Sequence, residues 1–229
     1  MATQDGPNYP FIKDGLVFCW DPKNRDCWSG GTAVADLFGE TGQNYNETGT
    51  TGTSGALTEE GYFIYDGTND STRIDDANIP SGDSAVSVSV WALYSTVVQF
   101  APSIAWGTAG TQQAIILNTK SAKFKVSFYN VEFESTSAVS TDTWYNVSFT
   151  YAGGTNGAIE LFVNGSSVKT GTTTLNIGSH SDGIGFGEFP GSPSFDFNGY
   201  IGPAGIYNRQ LSSAEVLANY NRLKSRFGL

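Results

Sequence analysis

Apolar and polar side chains alternate with a period of two along several segments of this 229-residue chain. The clearest examples are residues 86–92 and residues 144–151. Successive side chains of a β-strand point to opposite faces of its sheet, so this alternation predicts strands with one buried face. On the second segment the polar face consists of Asn146, Ser148 and Thr150, which we expect to meet water. The pattern predicts an all-β fold.

A two-residue turn, Asn164-Gly165, separates two such runs. Asn-Gly favours the type I′ turn, whose twist matches the flanking strands, so the register of this hairpin can be predicted. In that register apolar residues meet apolar ones and opposite charges meet across the strands. The predicted pairs are Val163 with Ser166, Leu161 with Val168, and Glu160 with Lys169.

A second hairpin is indicated where the apolar positions change parity across Tyr129-Asn130. A two-residue turn at this point keeps the apolar residues of both strands on one face of the sheet. The predicted pairs are Val126 with Phe133 and Lys125 with Glu134.

Only the end of the chain has helical spacing. Ser212 and Glu215 fit a capping box, in which each side chain satisfies a backbone N–H of the first turn. Gly228 is placed to end the helix, so we predict a helix over about residues 212–227. One-sided helices normally bury their stripe, and we expect this one to pack on the sheets rather than offer a groove to a partner. The apolar stripe consists of Val216, Tyr220, Leu223 and Phe227.

The chain is acidic, with 12 lysine and arginine residues against 22 aspartate and glutamate residues and a net charge of −10. Binding to nucleic acid or anionic lipid depends on basic patches, so we expect neither nucleic acid nor a membrane as partner. No apolar stretch could span a bilayer, and residues 1–10 lack the order of a secretory signal, so we expect no membrane insertion and no export. Cys19 and Cys27, the two cysteines, are then predicted to be unpaired thiols in a reducing compartment.

The length and the 28 glycines fit one domain of many short strands joined by tight turns. We predict an N-terminal arm over residues 1–14 and a single domain over residues 15–229. Residues 39–60 are rich in glycine and threonine, and we expect them to form a long surface loop.

Six segments stand in an order that a known family shares. They are residues 65–70, 86–91, 144–147, 159–165, 197–201 and 206–215, the last reading Ile-Tyr-Asn-Arg-Gln-Leu-Ser-Ser-Ala-Glu. Together they resemble the laminin-G-like branch of the concanavalin A-like lectin/glucanase superfamily. The resemblance implies a jelly-roll β-sandwich of two antiparallel sheets packed face to face. It implies sugar binding or protein adhesion more often than catalysis, although a fold alone does not determine function.

The start of the domain has a resemblance of its own. Residues 15–21, with residues 36–39 downstream, resemble the opening of tailed-bacteriophage structural proteins that carry this domain. This implies a virion protein, either a capsid decoration or a tail fibre, made in the host cytoplasm and displayed on the virion surface. Its partners would be other virion proteins and, through a lectin-like domain, a host cell-surface polysaccharide; a homo-oligomer is a further option. The alternative is a purely structural decoration or assembly protein without a ligand, anchored to another virion subunit by the arm.

Glu132 and Glu134 are the residues nearest to a catalytic pair. Glycosidases that share this jelly roll carry acids on one strand as E-x-D-x-E or E-x-D-x-x-E, whereas Thr136 and Ser137 stand where the third acid would be. Lys125, predicted opposite Glu134, offers a cross-strand ion pair as an ordinary explanation. We therefore predict that the protein is not an enzyme and has no catalytic residues, with a glycoside hydrolase as the alternative.

Four residues are candidates for contact with a carbohydrate or a partner. Trp106 lies between strand patterns, and its flat ring would suit a pyranose face, although burial of the indole is the other option. His180, the only histidine, and Asp182 lie in a polar loop, where ligand contacts concentrate, although an ordinary exposed loop is the alternative. Phe189 lies in a turn-rich segment and could equally touch a neighbouring subunit.

Aspartates are concentrated between residues 66 and 83. Calcium prefers about six to eight oxygen ligands, and laminin-G-like relatives often bind one at a loop rim. Asp66, Asp70, Asp75 and Asp76 are therefore candidate calcium ligands. A plain turn at Asp66 and solvated side chains at Asp75 and Asp76 are the alternative, and we expect that no cofactor is required.

Overall fold

The computed structural model describes residues 10–30, 33–38, 41–46, 61–75, 78–97, 100–179, 183–190 and 196–229. Two antiparallel sheets pack face to face, and one short helix follows them, so the predicted jelly-roll sandwich is confirmed. The strands are β1 (Leu16–Trp20), β2 (Ala33–Ala35), β3 (Thr41–Asn46), β4 (Phe63–Asp66), β5 (Asp70–Ile74), β6 (Val86–Tyr94), β7 (Ala101–Gly107), β8 (Ala114–Lys120), β9 (Lys123–Ser127), β10 (Glu132–Ala138), β11 (Trp144–Tyr151), β12 (Gly157–Val163), β13 (Ser166–Thr173), β14 (Ile184–Phe186) and β15 (Asn198–Tyr207).

The seven-stranded sheet has the order β1-β15-β6-β11-β12-β13, and β4 pairs with β15 as well. The eight-stranded sheet has the order β10-β9-β8-β7-β14-β5-β3-β2. All of these pairs are antiparallel. Because β6 lies between β11 and β15, strands distant in the chain become neighbours, and the sheets are built largely from long-range contacts.

The hydrophobic core lies between the two sheets. Val86, Val88 and Val90 of β6 point inward, as their period of two predicts, and each is at most 1% exposed. Ile115 and Leu117 of β8 face them from the eight-stranded sheet and are fully buried. Burial of each such side chain contributes roughly 1.5–3 kcal/mol before conformational entropy is counted, so this alternation is a main source of the fold's stability.

The C-terminal segment covers the outer face of the seven-stranded sheet. Helix α1 (Ser213–Leu223) is followed by a 3₁₀ turn (Lys224–Phe227), close to the predicted range. The capping box is confirmed: Glu215 Oε2 accepts from the Ser212 N–H at 2.9 Å, and Ser212 Oγ accepts from the Glu215 N–H. Phe227 stacks on Trp91 of β6 with ring centroids 4.2 Å apart. The expected packing of the stripe on the sheet is therefore confirmed.

The polar face of β11 does not meet water, so that prediction is wrong. Asn146, Ser148 and Thr150 are at most 2% exposed, because the C-terminal segment and its apolar cluster lie on this side of the sheet. The buried polar groups bond to each other: Asn146 Nδ2 donates to Ser89 Oγ at 2.9 Å, and Ser148 Oγ lies 2.9 Å from the same oxygen. Small polar side chains that satisfy one another can be buried at little cost.

The two hairpin predictions have different outcomes. The pairs Val126 with Phe133 and Lys125 with Glu134 are confirmed. At the other hairpin Val163 pairs with Ser166 as predicted, but a β-bulge between Leu161 and Phe162 shifts the register by one residue. The actual pairs beyond the bulge are Leu161 with Lys169 and Glu160 with Thr170.

The described part of the predicted arm belongs to the domain. Phe11 is fully buried among the residues beneath the helix, and the Ile12 N–H donates to Asn219 Oδ1 at 2.9 Å. Residues 1–9 lie outside the described residues. The predicted loop over residues 39–60 contains β3, which pairs with β5, and residues 47–60 are likewise not described. In the portion of the chain that is described, no helix combines the length and apolar character that crossing a bilayer requires.

Candidate functional site

The outer face of the eight-stranded sheet carries a row of six residues, one on each of six neighbouring strands from β5 to β10. Each member pairs with the next across neighbouring strands, so the backbone register alone brings them side by side. Residues on either side of the row in each strand point into the core instead. The row runs Arg73, Gly185, Ala105, Ile116, Ser127, Glu132.

The segment after β14 folds back over this row. Gly185 has no side chain, and a Cβ there would come within 2.8 Å of the Glu188 carbonyl oxygen and of the Pro190 ring. Glycine is therefore required for the segment to lie so close to the sheet. Phe189 packs on Ala105 and Ile116 and is 3% exposed. Glu188, 1% exposed, forms an ion pair with the Nε of Arg73, which fixes the segment electrostatically as well.

A cavity of about 360 Å³ opens beside Phe189 on this face. We call it the outer cavity. Its volume lies at the lower end of the range of small-molecule sites, about 300–1,000 Å³. Three aromatic side chains from three separate segments form its walls, and polar groups enter from β9 and β10. The residues that define it are Phe100, Ile116, Ser127, Tyr129, Glu132 and Phe189, with Pro102 and Asn130 at its margin.

The hairpin turn between β9 and β10 positions Tyr129 and Asn130. Both residues adopt positive φ, 56° and 60°, and the Phe128 N–H donates to the Val131 carbonyl oxygen at 2.7 Å, as the predicted two-residue turn requires. Asn130 Nδ2 donates to Thr111 Oγ1 at 3.3 Å, which ties the turn to the loop before β8. The turn therefore holds Tyr129 at one wall of the cavity.

Ser127 is a polar residue of the cavity wall, and Asn118 of β8 is its hydrogen-bond partner. Asn118 is 1% exposed, and its Nδ2 donates to Ser127 Oγ at 2.9 Å and to the Ile116 carbonyl oxygen at 3.0 Å. Ser127 Oγ accepts this bond, so its own hydroxyl proton is left to donate to a ligand. Asn118 Oδ1 accepts no hydrogen bond from the described residues.

Lysines surround the two glutamates that the sequence singled out. Lys125, 5% exposed, donates to Glu132 Oε2 at 2.8 Å and to Glu134 Oε2 at 2.6 Å. Lys120 donates to Glu132 Oε1 at 2.6 Å, and Lys123 donates to Glu134 Oε1 at 2.7 Å. We call these five residues the lysine–glutamate cluster. It contains the predicted pair of Lys125 with Glu134 and extends it with three residues more.

The cluster keeps both carboxyl groups ionised. Burial alone would raise the pKa of Glu132, but the hydrogen bonds from Lys120 and Lys125 outweigh burial and lower the pKa below its usual value. Hydrogen bonds from Lys123 and Lys125 lower the pKa of Glu134 to about 2. The general acid of a glycosidase has the opposite property, a raised pKa that keeps its proton near neutral pH. Glu132 and Glu134 are thus arranged as lysine-bound carboxylates.

Of the two predicted contact residues that the structure describes, Phe189 lies at the outer cavity and Trp106 does not. Trp106 points into the core and is 1% exposed, so its interpretation as a stacking platform is corrected. The physical reason is the strand period: Ala105 faces outward on β7, and its neighbour must face inward. His180 and Asp182 lie outside the described residues.

The three candidate calcium ligands that the structure describes, Asp66, Asp70 and Asp75, do not form one group. Asp66 Oδ1 accepts from the Thr68 N–H at 2.8 Å, as the plain-turn alternative expected, and Asp70 Oδ2 accepts from the Asp66 N–H at 2.9 Å. Asp75 follows the other end of β5, roughly 16 Å from Asp70 along the strand at about 3.3 Å per residue. Asp76 is not described. Within the described ranges, no three His, Cys, Asp or Glu side chains stand together as metal ligands.

Sequence reasoning missed most of the outer cavity. Phe100, Ile116 and Ser127 were not singled out, since each belongs to a different segment and has no motif of its own. A partial signal existed in Asn118 and Ser127, two polar residues that follow apolar residues in β8 and β9. Only the register of β7, β8 and β9 shows that these positions are neighbours.

Known structures with the same fold include two proteins that act on or bind sugars. Domain 4 of AbnA, a GH43 extracellular arabinanase from Geobacillus stearothermophilus solved in complex with arabinotriose, is 18% identical, with a TM-score of 0.60 over 90% of this chain and 98% of that one. Trypanosoma rangeli sialidase in complex with sialic acid is 16% identical, with a TM-score of 0.62 over 94% of this chain. This chain spans 34% of the sialidase, about a third of its length. At these identities the likeness shows the fold alone.

Sequence comparison gives the family. No curated protein sequence matches the chain. The model of the laminin-G-like family described as "Concanavalin A-like lectin/glucanases superfamily" matches residues 66–217, which is more than half of the chain. The matched range begins at β4 and ends within helix α1, so it includes every residue that defines the outer cavity. The chain therefore belongs to the concanavalin A-like lectin/glucanase superfamily.

Proposed function

We propose that this protein is a non-enzymatic glycan-binding domain and that the outer cavity holds a sugar unit of its ligand. The observation that carries the proposal is the cavity itself: about 360 Å³ of space with Phe100, Tyr129 and Phe189 around it and polar groups on one side. Sugar-binding sites combine these two features, because a sugar ring has apolar C–H faces and a rim of hydroxyl groups.

The polar groups suit the rim of a sugar ring. Ser127 Oγ has a proton to donate, and the Glu132 carboxylate has lone pairs beyond those that its two lysines occupy. The carboxylate is held by these lysines before a ligand arrives, so binding does not require it to be ordered. The arabinanase domain that shares this fold was solved in complex with arabinotriose, which supports a sugar as the class of ligand.

The absence of catalysis is part of the proposal. Hydrolysis of a glycosidic bond requires a carboxylic acid that donates a proton and a second carboxylate. The lysine–glutamate cluster lowers the pKa of both Glu132 and Glu134, so neither is a proton donor at neutral pH. Glu188, a further carboxyl group of this face, is buried against Arg73. These contacts favour binding without cleavage.

A tryptophan-fluorescence or calorimetric titration after a glycan-array screen tests the proposal. Tyr129→Asn removes an aromatic wall while keeping a residue that tolerates the positive φ of the turn. We expect it to weaken binding of the best array ligand about tenfold, the loss typical of one buried aromatic contact. Tyr200→Ala, on the outer face of the other sheet, is the matched control and should bind as the wild type does.

Two results would contradict the proposal. If no plant, algal or bacterial polysaccharide on the array binds, the protein is not a glycan-binding domain. If Tyr129→Asn and the wild type bind the ligand with equal affinity, the outer cavity is not the binding site. Release of reducing ends from a bound glycan would restore the hydrolase alternative. In that case Glu132→Gln is expected to abolish the cleavage.

We further propose that the domain is displayed on a bacteriophage virion, as a capsid decoration or tail appendage that brings host-surface glycan to the particle. The support is the resemblance of residues 15–21 and 36–39 to the opening of phage structural proteins. Immunogold labelling of purified particles with an antibody against the domain is expected to mark capsid or tail. Unlabelled particles that carry all their other structural proteins would refute the placement.

A further inference from the structure

The outer cavity lies beside an excess of positive charge in an otherwise acidic protein. The chain has a net charge of −10 and only seven lysines. Three of these lysines belong to the lysine–glutamate cluster, against two glutamates. Arg73 and Glu188, on the opposite side of Phe189, compensate each other. The seven charged side chains of these ion pairs therefore sum to +1.

Lys120 brings that charge to the edge of the cavity. Its Nζ lies 2.6 Å from Glu132 Oε1 and 4.4 Å from the centroid of the Phe100 ring, and both of these residues line the cavity. An ammonium group has three N–H donors, of which Glu132 takes one. The side chain is 22% exposed, so the other donors can reach a ligand.

The two remaining lysines have different positions. Lys125 is 5% exposed and already donates to Glu132 and Glu134, so it has little capacity for a ligand. Lys123 is 44% exposed and donates to Glu134, which lies two residues beyond the cavity residue Glu132 on β10. It can attract an anion through space but does not touch the cavity walls. Lys120 is thus the cation that a bound sugar would meet first.

We infer that the ligand of the outer cavity is an acidic glycan, one whose sugar units carry carboxylate or sulfate groups, and that Lys120 binds the acidic group. The inference rests on the proposed function and names the class of its ligand. An acidic glycan supplies the negative charge that the cluster lacks, and it would be repelled by most of the remaining surface of a protein with a net charge of −10. Attraction confined to one face directs the chain of sugars to the cavity.

Two matched pairs of polysaccharides test the inference: polygalacturonate against the same polymer with its carboxyl groups reduced to alcohols, and dextran sulfate against dextran. Affinities are measured by calorimetry for the wild type, Lys120→Gln and Lys169→Gln. Lys169 is exposed on β13 of the other sheet and does not line the cavity, so its replacement removes the same charge from outside the proposed site. Carboxylate and sulfate are distinguished by which of the two acidic polymers binds.

The expected result is tighter binding of the acidic member of at least one pair. Lys120→Gln should weaken that binding about fivefold, and Lys169→Gln should leave it unchanged, because screening limits the reach of a surface charge to about 8 Å at physiological salt. Raising the salt concentration should weaken the binding of the acidic polymer and leave the binding of its neutral counterpart unchanged.

Each other result overturns the inference. If neutral members bind as well as acidic ones, or Lys120→Gln and Lys169→Gln have equal effects, then the cavity does not select charge, while the proposed glycan-binding function stands. If neither polymer pair nor any glycan of the array binds, the proposed function fails and the inference fails with it.

Discussion

Replacement of Phe189 by alanine distinguishes a ring that borders an open cavity from a ring of the closed core. Phe189 is 3% exposed, and by exposure alone it resembles Phe149 of β11, which is fully buried. Their surroundings differ: Phe149 belongs to the core between the sheets, whereas Phe189 has Ala105, Ala114 and Ile116 beneath it and the outer cavity beside it.

The two truncations should therefore have different costs. Phe→Ala in a closed core costs about 3–5 kcal/mol, the sum of lost transfer free energy and of the void that remains. At Phe189 the removed atoms enlarge a cavity that is already open, so little of the void term applies. The transfer term of about 1.5–3 kcal/mol remains, since Phe189 is 3% exposed. We expect about 2 kcal/mol for Phe189→Ala and about 4 kcal/mol for Phe149→Ala.

Urea unfolding followed by tryptophan fluorescence measures both values, provided that the slope of free energy against urea is the same in each variant. Equal losses for Phe189→Ala and Phe149→Ala, within about 0.5 kcal/mol, would show that the ring is enclosed. The outer cavity would then not be open to a ligand, and the reasoning that places a sugar there would be refuted.

Three further predictions concern other parts of the domain. Hydrogen bonds from Arg209 and from the Ser212 backbone lower the pKa of Glu215 to about 2, so the stabilising effect of its carboxylate is present above the unfolded pKa of about 4.5 and is lost as pH falls toward 2. Glu215→Gln should therefore lower the free energy of unfolding by about 1 kcal/mol at pH 7, measured by urea unfolding, and a loss that persists at pH 2 would contradict this. Burial raises the pKa of the Cys19 thiol, and that of Cys27 to about 12, so native protein at pH 8 should not react with a disulfide reagent that labels both thiols after unfolding. Millimolar calcium should shift the melting temperature by less than about 1 °C, and a larger rise that Asp70→Asn removes would restore the calcium site.

The sequence predicted the parts of the fold that depend on local geometry. The turn at Tyr129-Asn130 and the capping box at Ser212 were predicted because each is set by a few consecutive residues. The register beyond Leu161 was wrong, because a bulge inserts one residue without any local sequence signal. Period-two alternation correctly placed Val86, Val88 and Val90 in the core.

The candidate site was predicted far less well, for a physical reason. The outer cavity is assembled from β7, β8, the turn after β9 and the segment after β14, whose contacts depend on sheet order rather than on sequence distance. Phe189 was chosen as an exposed aromatic and proves to be a wall of the cavity. Trp106, chosen for the same kind of reason, faces the core because a one-residue difference along a strand reverses the direction of a side chain.

The position of the C-terminal helix determines which sheet face can bind a ligand. In sequence, both sheets have polar residues at outward positions: Asn146, Ser148 and Thr150 on β11, and Asn118 and Ser127 on β8 and β9. Helix α1 and the turn after it bury the first set, so the polar residues Asn146 and Ser148 are satisfied by one another. On the opposite sheet the described segment that carries Phe189 lies over part of the corresponding face, and the polar groups beside it lie next to the outer cavity. The glycan site that we propose lies on this second face, together with the aromatic walls and the lysine–glutamate cluster.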